Sequence, residues 1–127
     1  FQKGLGAIHA LSPPVGGLYN THHGLTNGVF MPYVMAFNRP AIEAKVQRLA
    51  RVLDIAGGFD GVQAWILELR RAIGVPHTLQ ELGVPDRSKF DQMAKMAIVD
   101  PTAGSNPVEL TEAAAKGLFE AAFAGQL

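Results

Sequence analysis

The chain has 127 residues, 48% of them apolar, which suits one compact domain built on one core. Eleven basic and eleven acidic residues cancel, excluding a polycationic nucleic-acid surface and an acidic tail. The absence of cysteine excludes disulfides and thiolate metal sites, so any metal chemistry falls to histidine or carboxylate.

The charges are unevenly spread. Lys3 is the only one before Arg39, so residues 4–38 are uncharged and read as interior. A membrane span needs about 20 continuous apolar residues, whereas Pro13, Pro14, Gly16, Gly17, Asn20, His22, His23 and Pro32 interrupt this stretch. It is expected to be a buried segment of a soluble protein with no membrane partner. Phe1 stands where an initiator methionine would, and no basic, apolar leader follows it. The chain therefore reads as a cytoplasmic piece of a longer protein.

In chain order, a short helix is expected from Gly4 to Leu11, ended by Ser12-Pro13-Pro14 because proline disfavours helix in the residue before it. Residues 15–21 are too glycine-rich for a regular element and too apolar for an exposed linker, so a packed loop is expected. A second helix is expected from about His23 to Phe37, apolar all round and kinked at Pro32. Pro40 opens a third, in which Ile42, Val46, Leu49 and Leu53 form one stripe. After Gly57-Gly58, Asp60 is the expected cap of a helix whose inward face is Val62, Trp65, Ile66, Leu69 and Ile73. Thr78 and Glu81 have capping-box spacing. Asp86 is expected to begin a helix carrying Phe90, Met93, Met96 and Ala97. The last helix starts near Thr111 and buries Leu118, Phe119, Ala122 and Phe123. No stretch alternates with the period of a strand. The sum is a single all-α domain over residues 1–127, a helical bundle of about five or six helices. Asp100 to Leu110, rich in Pro, Gly, Ser and Asn, is long enough for a functional loop.

His9 and His23 lie near the facing ends of the first two helices and converge if those helices pack antiparallel. Neutral imidazole suits Fe(II) and Zn, and helix-borne ligands hold their angles well. Spacing alone leaves the alternative that both are buried histidines bonded to backbone. Tyr19, Phe30 and Met35 could line a dry pocket or simply pack the core. His77 reads as a solvated turn residue, and Arg70-Arg71 as a solvent face. Gly4 and Gly6 do not make a dinucleotide fingerprint, so nucleotide-binding machinery is expected elsewhere.

The run Gly6-Ala-Ile-His9-Ala-Leu-Ser-Pro-Pro14-Val-Gly16-Gly17-Leu-Tyr19-Asn-Thr-His-His23-Gly24-Leu-Thr-Asn27, followed by Pro32 and Phe37-Asn38, resembles the signature of the iron-containing (group III) alcohol dehydrogenases. Asp100-Pro-Thr-Ala-Gly104-Ser-Asn106-Pro107 resembles the loop before that family's final helix. The resemblance implies the C-terminal portion of an all-helical, metal-binding domain, preceded in the family by a Rossmann-like nucleotide domain. It implies that His9 and His23 are metal ligands, completed by an aspartate and a third histidine from upstream sequence. Fe2+ is the implied metal, with Zn2+ as the alternative, and NAD or NADP the cofactor of the whole protein. The substrate would be a small alcohol or aldehyde, the chemistry hydride transfer assisted by the metal. The chain departs from the pattern at Pro13, where relatives commonly have a histidine near substrate and nicotinamide. His22 stands where relatives often have proline and is read as a neighbour of the ligands.

Two further readings accompany this one. Pro13 admits a non-catalytic interaction domain that has kept the family's core, and related reductases such as glycerol dehydrogenases and maleylacetate reductases share the architecture. A piece separated from its nucleotide domain is also expected to expose apolar surface around residues 4–38 and to form homo-oligomers.

Overall fold

Helices fill most of residues 6–127, the part of the chain that the computed structural model describes. In order they are α1 (Gly6–Tyr19), α2 (His23–Val52), α3 (Gly58–Ala72), α4 (Leu79–Leu82), α5 (Phe90–Ile98) and α6 (Glu112–Ala124), with a 3-10 turn at Ala103–Ser105 before the last. No strand occurs among the described residues, as the all-α reading requires. The expected helix start at Gly4, and Lys3, lie outside the described residues.

The core is assembled around Phe30 of α2, Phe90 of α5 and Phe119 of α6, all fully buried. The Phe30 and Phe119 rings meet edge to face at 5.6 Å, and Phe90 meets Phe119 at 5.9 Å. Ala7, Ala10, Leu11 and Val15 bring α1 into the same cluster. The uncharged first third thus supplies much of the interior, although His22, His23, Gly24 and Leu25 form an exposed corner.

Two boundaries differ from those the local signals suggest. The first helix does not stop at Leu11, and residues 15–19 are not a loop: α1 continues through Pro13, Pro14, Gly16 and Gly17 to Tyr19. The prolines remove the N–H groups that would bond the carbonyls of His9 and Ala10, a cost of about 3 kcal/mol each in an isolated helix interior. Leu11, Pro14 and Val15 are buried, and each large apolar side chain taken from water returns about 1.5–3 kcal/mol. Packing therefore outweighs propensity.

The second and third expected helices are likewise one element, α2, 30 residues long, with Pro32 and Pro40 inside it. Pro32 lacks the N–H that would bond the carbonyl of Gly28. Arg70 supplies the substitute: its Nη1 donates to Gly28 O at 3.2 Å and to Val29 O at 2.9 Å. Gln63, also buried, donates from Nε2 to Pro32 O at 2.7 Å. Arg70 thus satisfies the Gly28 carbonyl that Pro32 leaves without its ladder donor, and Gln63 adds a second polar tie from α3 to α2.

Arg70 is accordingly only 5% exposed, and the solvent-face reading holds for Arg71 alone. The second amino group of Arg70 donates to Nδ1 of His77, whose Nε2 reaches Gly125 O at 3.3 Å. The Tyr33 hydroxyl donates to His77 O at 2.6 Å. His77 is thus a half-buried junction of α2, α3 and the end of α6, not a solvated turn residue. Burial pushes the Tyr33 phenol above its ordinary pKa, with Arg70 opposing the shift.

α3 packs chiefly against α2, so only a narrow stripe is covered: Phe59, Val62, Gln63, Ile66 and Arg70. Trp65, Leu69 and Ile73, expected to face inward, are 50%, 45% and 68% exposed. Gly57, not Asp60, occupies the cap, with φ +94°. Asp60 instead accepts from Arg39 Nη1 at 2.9 Å. The entry to α3 also needs Gly61, where any Cβ would lie 1.8 Å from Ala56 O.

Thr78 caps α4 through Glu81 N at 3.1 Å, but Glu81 accepts from His77 N in place of completing the box. Asp86 does not begin α5. Its carboxylate accepts from Ser88 N and Oγ in a local turn, which holds its pKa below the usual carboxylate range, and the helix starts at Phe90. Thr111 caps α6 as expected, accepting from Ala114 N at 3.0 Å.

Arg70→Met should lower stability by about 2–3 kcal/mol, because the Gly28 carbonyl loses the donor that replaces the Pro32 N–H and the bonds to Val29 O and His77 are lost with it, and the melting temperature by about 10 °C. Thermal unfolding followed by circular dichroism measures this. A loss below about 2 °C would show that water replaces the guanidinium without cost.

Candidate metal centre

A three-residue corner, Asn20 to His22, turns α2 back along α1. Asn20 adopts the left-handed conformation, φ +55°, which asparagine tolerates better than most residues. Thr21 and Thr26 pair through their hydroxyls at 2.8 Å, and Thr26 Oγ1 also donates to His22 O at 2.8 Å. His22 is the N-cap of α2, its Nδ1 accepting from Leu25 N at 3.3 Å. Gly24 makes room for that ring: a Cβ there would sit 3.2 Å from His22 Cε1. His22 is therefore spent on capping.

The corner brings His9 and His23 together. Their ring centroids are 5.9 Å apart and the ring planes are inclined by 58°. His9 is half-buried on α1, and His23 lies exposed in the first turn of α2. Nδ1 of His9 is buried without a hydrogen-bond partner. Such an orphan is uncommon in a folded protein and suits a nitrogen reserved for a ligand. His23 Nε2 lies 3.2 Å from Nδ2 of Asn27, one turn further along α2.

Two imidazoles are a fitting but partial donor set for a borderline divalent ion. Among the described residues no group of three or more histidine, cysteine, aspartate or glutamate side chains surrounds them. Pro13, one turn beyond His9, is exposed and brings neither an ionisable side chain nor an N–H to this corner. Phe30 lies in the main core, and Met35 packs against the smaller cluster of Ala50, Val62 and Ile66. Tyr19 is half-buried, and burial pushes its phenol above the ordinary pKa, with Asp86 adding to the rise. A groove of about 850 Å³ between α3 and α4, lined by Arg70, Arg71, His77 and Glu81 among others, touches neither His9 nor His23.

The loop expected to be functional serves the corner from a distance. Asn106 Oδ1 accepts from Ala7 N at 3.1 Å, and Ser105 Oγ accepts from Gly6 N at 2.9 Å, so the loop caps α1 from outside. Asn106 and the buried Asn38 of α2 exchange two amide bonds, at 3.0 and 2.7 Å. Asn27, Asn38 and Asn106 have no assigned role in the sequence reading. Only the i, i+4 spacing of His23 and Asn27 gave a local signal.

The fold and the corner together define an all-α module with two imidazoles paired between its first two helices. Residues 2–123 match the model of the Fe-containing alcohol dehydrogenase family, C-terminal. The chain belongs to this family. It is 36% identical to 4-hydroxybutyrate dehydrogenase of Cupriavidus necator, over 94% of this chain and 33% of that protein. It is 29% identical to NADPH-dependent butanol dehydrogenase of Clostridium saccharobutylicum, over 95% of this chain and 33% of the relative. The structure of an iron-containing alcohol dehydrogenase from Thermococcus thioreducens superposes with a TM-score of 0.83 at 34% identity, covering 96% of this chain and 32% of that one. The chain thus spans about a third of the length of the relatives it matches.

Asn106→Ala should cost about 2–3 kcal/mol, since it strips a cap from α1 and leaves the Asn38 amide without its partner. Asn106→Asp, which keeps the acceptor for Ala7 N–H, should cost less. Amide hydrogen exchange provides the local readout: protection at Ala7 should fall in the alanine variant before global unfolding does. Unchanged protection there would remove Asn106 from the support of α1.

Proposed function

We propose that this chain is the C-terminal part of the metal-binding helical domain of an NAD(P)-linked alcohol dehydrogenase, which interconverts an alcohol with an aldehyde or ketone. The observation that carries the reading is the His9–His23 pair, with ring centroids 5.9 Å apart, together with the buried and unpartnered Nδ1 of His9. His9 and His23 would hold the ion, Fe2+ first and Zn2+ as the alternative, with the remaining ligands, the nucleotide domain and the substrate pocket supplied by sequence outside this chain. When bound, the ion supplies Lewis-acid polarisation of the alcohol or carbonyl oxygen. This chain's own contribution is orientation: helices fix the two imidazoles, and the packed apolar interior behind α1 limits water on that side.

Purified 127-residue chain should bind one Zn2+ or Co2+ weakly and show no alcohol-dependent NAD reduction. His9→Ala and His23→Ala should each weaken metal binding by more than about a hundredfold, beyond the roughly 10–100-fold that loss of an outer-shell partner typically costs. Isothermal titration and the visible spectrum of bound cobalt read both. Binding that survives both substitutions would sink the assignment. A chain that binds no metal would instead favour the interaction-domain reading, which the exposed Pro13 supports.

The cytoplasmic and homo-oligomeric expectations belong to the same proposal. No helix among the described residues is long and apolar enough to cross a membrane. Exposed apolar side chains fall mostly outside residues 4–38, on the end of α2 (Leu49, Val52, Leu53) and on α3 (Trp65, Leu69, Ile73). Light scattering of the isolated chain should show concentration-dependent association that Trp65→Glu reduces. A strictly monomeric species at high concentration would count against it.

A further inference from the structure

We infer that His77 is an acid-sensitive latch: as a neutral ring it ties α3 to the end of α6, and a proton taken up by the ring releases that end. The latch uses none of the residues of the His9–His23 corner and is independent of the metal reading.

The polarity of the ring is fixed by its neighbour. A guanidinium donates hydrogen bonds and accepts none, so the contact of Arg70 Nη2 with His77 Nδ1 requires a lone pair on Nδ1. The one ring proton of neutral imidazole then sits on Nε2, where it faces Gly125 O at 3.3 Å. The end of α6 is seated closely on this ring. A Cβ on Gly125 would lie 3.2 Å from Cδ2 of His77 and 3.0 Å from Cγ2 of Thr78.

An imidazolium carries a proton on both nitrogens. On Nδ1 the second proton would point at the Arg70 amino group with no acceptor between them, and the added charge would stand against a guanidinium that is itself buried. Arg70 is anchored, since its Nη1 is engaged by Gly28 O and Val29 O. The ring must therefore leave. Beside it lies the groove of about 850 Å³, and the carboxylate of Glu81, which lines that groove, already accepts from His77 N at 3.3 Å. The neutral ring closes on Gly125, and the cation turns toward Glu81.

The other groups around the ring do not reverse this balance. α3 supplies Arg71 and Glu68 along the groove, paired with each other at 3.5 Å. α4 supplies Glu81. All three are exposed, so water and salt screen them. α2 supplies the Tyr33 phenol, which burial pushes up and which keeps its proton when the imidazole titrates. The end of α6, residues 121–126, has no titratable side chain. Because the open form holds the proton and the closed form does not, lowering the pH favours opening by up to about tenfold per pH unit. The latch is closed above about pH 6.5, where a free imidazole takes up its proton, and opens progressively below it.

The test uses the full 127-residue chain. Amide hydrogen exchange reads the end of α6 at Gly125 and Gln126, whose N–H groups bond to Ala121 O at 2.8 and 3.0 Å. Between pH 7.5 and 5.5 their protection factors should fall at least about tenfold, while protection at the core residues Phe30 and Phe119 holds. His77→Asn, which keeps an acceptor for Arg70 but takes up no proton and leaves the other three histidines in place, should reduce the fall to less than about twofold. Unchanged protection in the wild type overturns the latch, and so does an equal fall in His77→Asn. Ring 15N shifts at about pH 8 should show His77 protonated on Nε2 and not on Nδ1. The opposite tautomer overturns the inference, and this measurement decides if His77→Asn does not fold.

Discussion

The return of α2 along α1 over three residues is the constraint on which the site depends. Fourteen positions separate His9 from His23 along the chain, and only this reversal makes their rings neighbours. It is secured at both ends. The corner holds itself through the Thr21–Thr26 hydroxyl pair and the His22 cap, while Asn106 joins the far end of α1 to Asn38 of α2. Between them Ser12 reaches Asn27. Each fastening is a polar contact in or beside an apolar interface, where a lost partner costs more than the bond itself contributes. Such contacts specify one relative placement of the two helices, whereas apolar packing alone would accept several.

Prolines show where local reading runs out. Ser12-Pro13-Pro14 and Pro40 are sound signals of a helix end and a helix start, and both were overridden. In α1 the override comes from apolar burial on the face carrying Leu11, Pro14 and Val15. Within α2 the interruption at Pro32, expected only as a kink, is compensated by Arg70, about forty positions downstream, whose guanidinium bonds to the carbonyls of Gly28 and Val29. No window of local sequence contains that compensation. The same gap explains why Arg70 looked like a surface charge: its partners are backbone atoms of another helix, not a carboxylate.

The all-α class, the main helices and the histidine pair were legible because they rest on periodicity, composition and a recognisable run of residues. The inward face of α3 was not, because an apolar stripe states what could be buried and not how much neighbour exists to bury it. Trp65, Leu69 and Ile73 form such a stripe with α2 covering only one side of the helix. The asparagines escaped for a different reason. Asn38 and Asn106 act through paired amides 68 positions apart, and neither residue type carries a period that would mark it as structural.

The two histidines are held unequally, and the difference bears on how the proposed site, split between two parts of a protein, would close. His9 lies within α1, half-buried, its position fixed by helix on both sides and by the cap from Asn106. His23 stands in the first turn of α2, exposed, with only Asn27 directing its ring. A first helical turn is the least constrained part of a helix, since its N–H groups lack ladder partners. In the proposed site, one nearly fixed ligand and one adjustable ligand would allow an ion to reach its preferred angles as the remaining donors bind, without straining the core. Two equally rigid imidazoles would require the rest of the site to fit them within a few tenths of an ångström, and two equally loose ones would surrender the orientation that metal-assisted chemistry needs.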